Sequence, residues 1–240
     1  MNEINLKEVQ QKLYEKLKPS GWGDKLKSFL LGDEFEKILK TLYNESQGGK
    51  HFTPKLKQVF RAFEECPYKD LKIVMIGQDP YPWLYNGTNV ADGIAFSCSN
   101  TMKDQPSLKY MFKEIEDTLI NPEGYTWDCD LKRWSNQGIL LLNTALTTTI
   151  GKVGTHYLIW QPFFAFLLDT LAYGNTGLIY VFMGNKAKEW NDSVPDNNHK
   201  LFVSHPASAS YDKLEKWDSE NLFGRINDLS VSHFKQKIIW

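Results

Sequence analysis

Four short apolar runs constrain the fold of this 240-residue chain more than any other feature of its sequence. They cover residues 73–76, 139–142, 178–183 and 201–203. Within each run, apolar residues follow one another without alternating with polar ones, which is typical of strands that are covered on both faces. The runs therefore predict a parallel sheet with helices packed on it.

Helical spacing appears between and before the runs. Behind Pro106, the apolar residues at helical intervals are Leu108, Met111, Phe112, Ile115 and Leu119. Proline is favoured in the first turn of a helix, so we expect a helix to begin there, and another at residues 163–171. Residues 1–70 read as amphipathic helices and loops, in which Leu56, Val59, Phe60 and Phe63 share one helical face. These patterns predict a single-domain, three-layer α/β/α fold spanning residues 1–240, with a central, mainly parallel four-stranded sheet.

Residues that can form hydrogen bonds follow the ends of three runs. Asp79 comes shortly after the first run, Asn143 directly follows the second, and His205 comes shortly after the fourth. In an open parallel sheet every strand ends at the same edge, where α/β proteins bind ligands. We therefore expect Asp79, Asn143 and His205 to converge.

The composition excludes several classes of protein. With 42% hydrophobic residues, the chain can bury a packed core. No run approaches the roughly 20 apolar residues that cross a bilayer, and residues 1–19 mix Glu with Lys unlike a signal or transit peptide. We therefore expect a cytoplasmic protein without membrane attachment. The net charge of −1 gives no overall basic signature, although a small enzyme can bind phosphates through backbone N–H groups, serines and helix N-termini.

The cysteines and histidines do not indicate a metal site. Cys66, Cys98 and Cys129 are scattered without a C-x-x-C pair, and the five histidines show no metal-ligand spacing. We therefore expect no disulfide framework, no metal and no cofactor.

Five segments together resemble the motif series of family 1 uracil-DNA glycosylases, in order and in approximate spacing. They are Gly77-Gln78-Asp79-Pro80-Tyr81, Ala95-Phe96-Ser97, Pro106-Ser107-Leu108, Leu141-Leu142-Asn143-Thr144 and His205-Pro206. The similarity extends from about Trp22 to Asn227. It implies a monofunctional enzyme that hydrolyses the N-glycosidic bond of deoxyuridine in DNA, releases uracil and leaves an abasic site, which initiates base excision repair.

The resemblance implies two catalytic residues. Asp79 would orient and activate the attacking water, and its charge would stabilise the oxocarbenium-like sugar cation. His205, as a neutral imidazole, would donate a hydrogen bond to O2 of the departing uracil anion. Before either can act on a duplex, the target nucleotide must be extruded from the base stack.

The resemblance also implies four base-binding residues. Asn143 would pair with O4 and N3–H of uracil and reject cytosine. Tyr81 would leave no volume for the methyl group of thymine, and Phe96 would stack on the base. Gln78 would add polar contacts in the same pocket.

Contacts to the DNA itself are implied at two loops. Pro106-Ser107 resembles a loop that compresses the DNA backbone, with Ser107 suited to a phosphate, although a plain helix-opening proline fits equally well. After His205, the resemblance implies DNA contacts by Pro206, Ser208 and Ser210.

Two departures from the family pattern lie between the first two motifs. Pro82-Trp83 replaces the usual histidine and glycine, which resembles poxviral members of the family, and residues 84–90 lengthen the interval to the next motif. Asp92 stands before Gly93 where many members carry a histidine that assists phosphate binding. We therefore expect weaker contacts with DNA at this position.

The third departure lies in the loop after His205. The family inserts a leucine into the gap left by the flipped nucleotide, where this chain has Ala209. A methyl group cannot fill that gap, unless Tyr211, Trp83 or Tyr85 supplies the missing bulk. We therefore predict a preference for single-stranded over duplex uracil DNA, and a gain in duplex activity from Ala209→Leu.

Several alternatives remain open. A related glycosylase could prefer a mismatched or oxidised pyrimidine, although Tyr81 argues against substrates that are bulky at C5. A DNA-binding or processivity subunit could keep the fold without turnover, although it would not need Asp79. A nucleotide-binding α/β protein is not supported, since no glycine-rich phosphate loop follows a candidate strand. We expect a monomer whose partner is uracil-containing DNA; a proteinaceous glycosylase inhibitor and a replication partner are left open.

Overall fold

The computed structural model describes residues 5–119 and 126–240, and over these residues it has ten α-helices and eight strands. In chain order the helices are α1 (Leu6–Leu17), α2 (Trp22–Leu30), α3 (Asp33–Gln47), α4 (Arg61–Glu65), α5 (Pro106–Thr118), α6 (Lys132–Ser135), α7 (Tyr157–Gly174), α8 (Asn185–Lys188), α9 (Pro206–Tyr211) and α10 (Leu222–Phe234). The strands are β1 (Phe52–Thr53), β2 (Ile73–Gly77), β3 (Leu84–Tyr85), β4 (Thr88–Asn89), β5 (Ile139–Asn143), β6 (Thr148–Thr149), β7 (Ile179–Met183) and β8 (His199–Val203). Short 3-10 turns lie at Leu56–Gln58, Tyr68–Asp70 and Asn191–Ser193.

Four of the strands form the predicted parallel sheet, in the order β5-β2-β7-β8. Ile73 of β2 lies between Ile139 of β5 and Ile179 of β7, and Gly77 pairs with Asn143. Every residue of β2, β5 and β7 is buried, as expected for apolar runs covered on both faces. Because all four strands run in one direction, the residues that follow β2, β5 and β8 lie along one edge of the sheet.

Two groups of helices flank the sheet. Helices α1, α2, α3 and α7 pack against one another, while α5 packs against α9 and α10. An edge-to-face aromatic pair joins α2 to α7, with ring centroids 5.4 Å apart for Phe29 and Phe163, and a second pair within α7 places Trp160 5.7 Å from Phe163. Such pairs contribute roughly 0.5–1.5 kcal/mol each beyond the burial of their area. Through these contacts, side chains of the first 70 residues join the core that also contains the sheet.

The second predicted helix is longer than the sequence indicated. The predicted segment, residues 163–171, lies inside α7, which begins at Tyr157 and contains Pro162. A proline usually lies in the first turn of a helix, so Pro162 masked the true start. Neither α7 nor any other helix in the described part of the chain is long and apolar enough to span a bilayer.

The helix predicted from Leu56 to Phe63 is interrupted. A 3-10 turn and α4 replace it, and Leu56 is 45% exposed. The break coincides with a close approach of Gly93, at which an added Cβ would lie 1.8 Å from the Gln58 carbonyl oxygen. Gly93 also accepts a hydrogen bond from the backbone N–H of Ala62. A distant loop thus takes a hydrogen-bonding group that a continuous helix would use, which local periodicity cannot reveal.

Candidate active site

A cavity of about 390 Å³ opens at the carboxyl edge of the parallel sheet. Its volume is within the range of sites that bind small molecules. Nine of the ten residues predicted to have a catalytic, base-binding or DNA-binding role line it. They are Gln78, Asp79, Tyr81, Phe96, Ser107, Asn143, His205, Ser208 and Ser210. Pro206 does not line the cavity and is buried at the first position of α9. Residues that are far apart in sequence are therefore brought together by the topology of the sheet.

Asp79 lies two residues beyond β2, and the segment before α7 holds its carboxyl group. One carboxylate oxygen accepts a 2.7 Å hydrogen bond from the backbone N–H of Gly154, and the other accepts a 3.4 Å bond from the Tyr157 hydroxyl. Burial raises the pKa of Asp79, and the hydrogen bonds from Gly154 and Tyr157 oppose that shift. These donors favour the charged form, which can attract a cation or direct a water molecule.

His205 follows β8 and caps the N-terminus of α9. Its Nδ1 accepts a 3.2 Å hydrogen bond from the backbone N–H of Ala207, so in the neutral ring the proton is assigned to Nε2. Burial lowers the pKa of His205 to about 4. The cavity therefore has a neutral imidazole in its wall, with one N–H available as a donor.

Asn143 occupies the last position of β5, opposite Gly77 on β2. An added Cβ at Gly77 would lie 2.5 Å from Oδ1 of Asn143 and 3.0 Å from Cζ of Phe96. Glycine is therefore required here for close approach. Among the residues that the structure describes, none forms a hydrogen bond with the Asn143 side chain, so its donor and its acceptor are both available to a ligand.

Phe96 and Tyr81 form an aromatic wall of the cavity. The Tyr81 hydroxyl donates a 3.1 Å hydrogen bond to the carbonyl oxygen of Phe96, and the rings of Phe96 and His205 lie 5.7 Å apart between centroids. Burial raises the pKa of Tyr81 well above its ordinary value, so its hydroxyl remains a donor. The backbone of Phe96 has φ of 67°, in the left-handed region, which costs roughly 1–2 kcal/mol for a residue with a Cβ. The surrounding contacts must offset that cost.

Asp92, at which the sequence predicts weaker contacts with DNA, is fully buried. Its side-chain bonds lie within the protein, and the effect on DNA binding stays a prediction. Asp92 accepts hydrogen bonds from the backbone N–H groups of Ile94 (3.0 Å) and Ser99 (2.9 Å) and from the Ser97 hydroxyl (2.5 Å), and it forms a 2.9 Å ion pair with Arg61. Asp92 therefore holds both sides of the Phe96 turn. An Asp carboxylate in a turn typically accepts a hydrogen bond from the backbone N–H two residues later in the chain. This tendency was the available sequence signal for the role of Asp92 in the turn.

Ala209 is buried in the fold and does not line the cavity. The six residues after His205 form α9, and Ala209 is only 2% exposed, on a helix that packs against α5. A leucine at this position would crowd that interface, which argues against a gain from Ala209→Leu. Tyr211, by contrast, is 81% exposed and lines the cavity. The preference for single-stranded DNA stays a prediction.

The three serines differ in their surroundings. Ser107 is 3% exposed at the second position of α5, and its hydroxyl interacts with that of Tyr81. The Ser208 hydroxyl donates a 2.7 Å hydrogen bond to the carbonyl oxygen of His205. Ser210 is partly buried and lines the cavity. Ser107 thus lies inside the cavity and not on an outer face of its helix.

Sequence reasoning missed the residues that hold Asp79. It assigned no role to the segment at the start of α7, whereas Gly154 and Tyr157 of this segment make the contacts. His156 is fully buried, and its two ring nitrogens lie 2.8 Å from the Thr147 hydroxyl and 3.0 Å from a Glu45 carboxylate oxygen. The only sequence signal for the segment that contains Gly154 and Tyr157 was its position soon after β5.

Comparison with known proteins gives consistent results. The family described as the Uracil DNA glycosylase superfamily matches residues 63–229. Uracil-DNA glycosylase of Borreliella burgdorferi is 36% identical over 196 residues, which cover 79% of this chain and 83% of that protein. The Clostridium perfringens protein of the same name is 34% identical over 221 residues, covering 88% and 93%.

Solved structures agree with the sequence comparison. The crystal structure of mimivirus uracil-DNA glycosylase is 25% identical, covers 95% of this chain and 88% of its own, and superimposes with a TM-score of 0.83. A single-residue variant of that protein, solved in complex with UGI, has a TM-score of 0.81 and covers 91% of this chain and 87% of its own at the same identity.

Proposed function

Since the chain belongs to the Uracil DNA glycosylase superfamily, we propose that it hydrolyses the N-glycosidic bond between uracil and deoxyribose in DNA. The product is an abasic site, the first intermediate of base excision repair. The observation that carries this proposal is that Asp79, Asn143 and His205 line one cavity of a size suited to a nucleobase. A carboxylate, an amide and a neutral imidazole are the three groups that the reaction needs.

Asp79 acts on the sugar side of the bond. Its carboxylate accepts a proton from the attacking water and directs a lone pair toward the anomeric carbon. As the bond to uracil breaks, the same negative charge stabilises the oxocarbenium-like sugar. The hydrogen bonds from Gly154 and Tyr157 fix the orientation of the carboxylate for both tasks.

His205 acts on the base side of the bond. The electron pair of the breaking bond moves into the uracil ring and develops as negative charge on O2. The N–H at Nε2 of His205 donates a hydrogen bond to that oxygen, and the neutral ring suits a donor that need not give up its proton. The backbone bond from Ala207 to Nδ1 keeps the ring in the required tautomer.

Specificity for uracil rests on Asn143, Tyr81 and Phe96. The free amide of Asn143 accepts from N3–H and donates to O4, a pattern that cytosine reverses. The Tyr81 ring fills the space beside C5 and excludes the thymine methyl group. Phe96 stacks on the base, and Gln78 adds polar contacts at the cavity wall.

Contacts with the DNA around the flipped nucleotide determine which DNA is used. We propose that the chain acts as a monomer and as a single domain in the cytoplasm. We also propose that it prefers single-stranded DNA, because α9 offers no leucine that could fill the gap left by the flipped nucleotide. Ser107, Ser208 and Ser210 line the cavity, and we propose that they contact a phosphate next to the flipped nucleotide. Pro206 sets the start of α9. The complex of the mimivirus variant with UGI supports a proteinaceous inhibitor as a further partner.

A direct assay tests the activity and its specificity. The purified chain is incubated in a chelator with labelled oligonucleotides that contain one uracil, thymine or hydroxymethyluracil, as single strands and as duplexes, and alkali then reveals abasic sites. We expect alkali-dependent breaks only at uracil, and faster ones in the single strand. A duplex cut as fast as the single strand would refute the strand preference. Preferred release of hydroxymethyluracil would favour the alternative glycosylase, and no release from any oligonucleotide would favour a binding subunit.

Gly77→Ala tests the close approach that the cavity requires. The new methyl group would overlap Oδ1 of Asn143 and crowd the ring of Phe96. Because a displacement of about 1 Å can cost roughly 10²-fold, we expect kcat/KM for a uracil oligonucleotide to fall by about that factor. Gly48→Ala is the matched control, since an added Cβ there makes ordinary contacts at 3.4 Å and its φ is −79°. Equal activity of the two variants would contradict the tight packing of the base site.

A further inference from the structure

The segment that lengthens the interval between the first two motifs forms a small hairpin beside the cavity. We call residues 83–90 the aromatic hairpin. We propose that it is a stacking platform for the unpaired bases of the DNA strand next to the flipped uracil. This inference rests on the proposed function and assigns a role to a segment that the catalytic residues do not use.

The aromatic hairpin has a defined geometry. Strands β3 and β4 pair antiparallel, with Leu84 opposite Asn89 and Tyr85 opposite Thr88. The two turn residues have φ of 48° and 75°, which is the pattern of a type I′ turn, and they are Asn86 and Gly87. Because this turn matches the twist of its strands, the hairpin presents its side chains in a fixed arrangement and binding costs little ordering entropy.

Three consecutive residues of the aromatic hairpin expose large, mainly apolar side chains. Trp83, Leu84 and Tyr85 are 52%, 45% and 42% exposed. Leu84 and Tyr85 follow one another in β3 and therefore point to opposite faces, so both faces of this strand are partly open to solvent. Exposed aromatic rings cost solubility unless they bind a partner, and stacking on a base is what such rings offer.

The position of the aromatic hairpin and a lysine beside it favour DNA as its partner. Trp83 is itself part of the cavity wall, so a ligand on the hairpin is continuous with a ligand in the cavity. The Lys103 ammonium lies 5.6 Å from the centroid of the Tyr85 ring. It pairs with no carboxylate in the part of the chain that the structure describes. Each nucleotide of a nucleic-acid strand carries a base, which can stack on an aromatic ring, and a phosphate, which can pair with a cation. Tyr85 and Lys103 offer these two groups side by side.

The partner is an unpaired strand. In a duplex each base face is covered by its neighbours in the stack, and only the edges are accessible. In a single strand, the bases beside the flipped uracil can leave the stack and lie on Trp83 and Tyr85. The platform therefore gives a positive reason for single-strand preference, in addition to the missing wedge.

The test compares two single-stranded oligonucleotides with the same length and phosphates. In one, normal nucleotides flank the deoxyuridine; in the other, tetrahydrofuran spacers replace these neighbours and remove only their bases. The readout is the ratio of kcat/KM on the first to kcat/KM on the second. We expect wild type to favour the flanked substrate and Tyr85→Ala or Trp83→Ala to lower the ratio by roughly 5- to 150-fold, through KM.

Tyr173→Ala is the matched control, because Tyr173 is a 95% exposed tyrosine in the last turn of α7. We expect it to keep the wild-type ratio. Fluorescence anisotropy with a uracil-free single strand provides a second measurement that needs no turnover, and here the hairpin variants should bind more weakly than Tyr173→Ala.

Three outcomes would count against the stacking platform or against the proposed function on which it rests. An unchanged ratio in both hairpin variants, with wild type active, overturns the stacking platform and leaves the proposed function intact. Weaker activity on both substrates with an unchanged ratio also overturns it, because the hairpin would then contact only the backbone. If wild type releases no uracil from either oligonucleotide, the proposed function itself fails, and anisotropy alone then decides whether the hairpin binds DNA.

Discussion

Asp79→Asn is expected to reduce the single-turnover rate of uracil release by roughly 10²- to 10⁴-fold. The substitution keeps the shape of the side chain, and its amide oxygen can still accept the 2.7 Å hydrogen bond from Gly154. What it removes is the negative charge that attracts a proton from water and stabilises the sugar cation. The rate is measured by rapid quench under excess enzyme with a single-stranded uracil oligonucleotide.

A measurement of DNA binding by Asp79→Asn distinguishes a catalytic role of Asp79 from a structural one. We expect Asp79→Asn to bind a uracil oligonucleotide at least as tightly as wild type, because a buried charge near the phosphates is removed. Asp169→Asn, at an exposed position on α7, should behave as wild type in both measurements. Wild-type turnover by Asp79→Asn would show that another group activates the water, and loss of binding would show a structural role instead.

The sheet was predictable because its signal is contained within each strand. Buried parallel strands need apolar side chains on both faces, so the runs that became β2, β5 and β7 stand out one at a time. The run in β8 is shorter, and this strand, which lies at an edge of the sheet, is mostly half-buried. The convergence of Asp79, Asn143 and His205 then follows from the direction of the strands. The start of α5 at Pro106 is equally local, since proline suits the first turn of a helix.

The remainder depends on contacts between distant segments, which no local pattern contains. The burial of Asp92, for example, depends on its ion pair with Arg61, which lies 31 positions earlier. Whether Ala209 faces DNA or α5 depends on the six residues after His205 coiling into a helix. Tyr157 contacts Asp79 only because the segment after β5 crosses the end of β2.

His205→Ala is expected to lower the rate of uracil release by roughly 10²- to 10³-fold, the usual cost of one donor to a developing oxyanion. His205→Asn keeps a side-chain N–H donor and should recover part of that loss. Both variants are compared with His51→Ala, since His51 is exposed. A rate in His205→Ala close to that of wild type would mean that another group stabilises the uracil anion.

The pH dependence distinguishes a neutral His205 from a charged one. Burial lowers its pKa from 6.5 to about 4, so the folded protein keeps the ring neutral where an unfolded chain has protonated it. Between pH 4 and pH 6.5 the folded state therefore binds fewer protons at His205 than the unfolded chain does. The contribution of His205 to the free energy of unfolding is fully present above pH 6.5 and decreases as the pH falls toward 4. NMR titration of the His205 ring should show a midpoint near 4, and kcat/KM should show no inflection at 6.5. If a charged ring were the donor, kcat/KM would instead rise as the pH falls through the pKa of His205, and the titration would identify that ring as the cause.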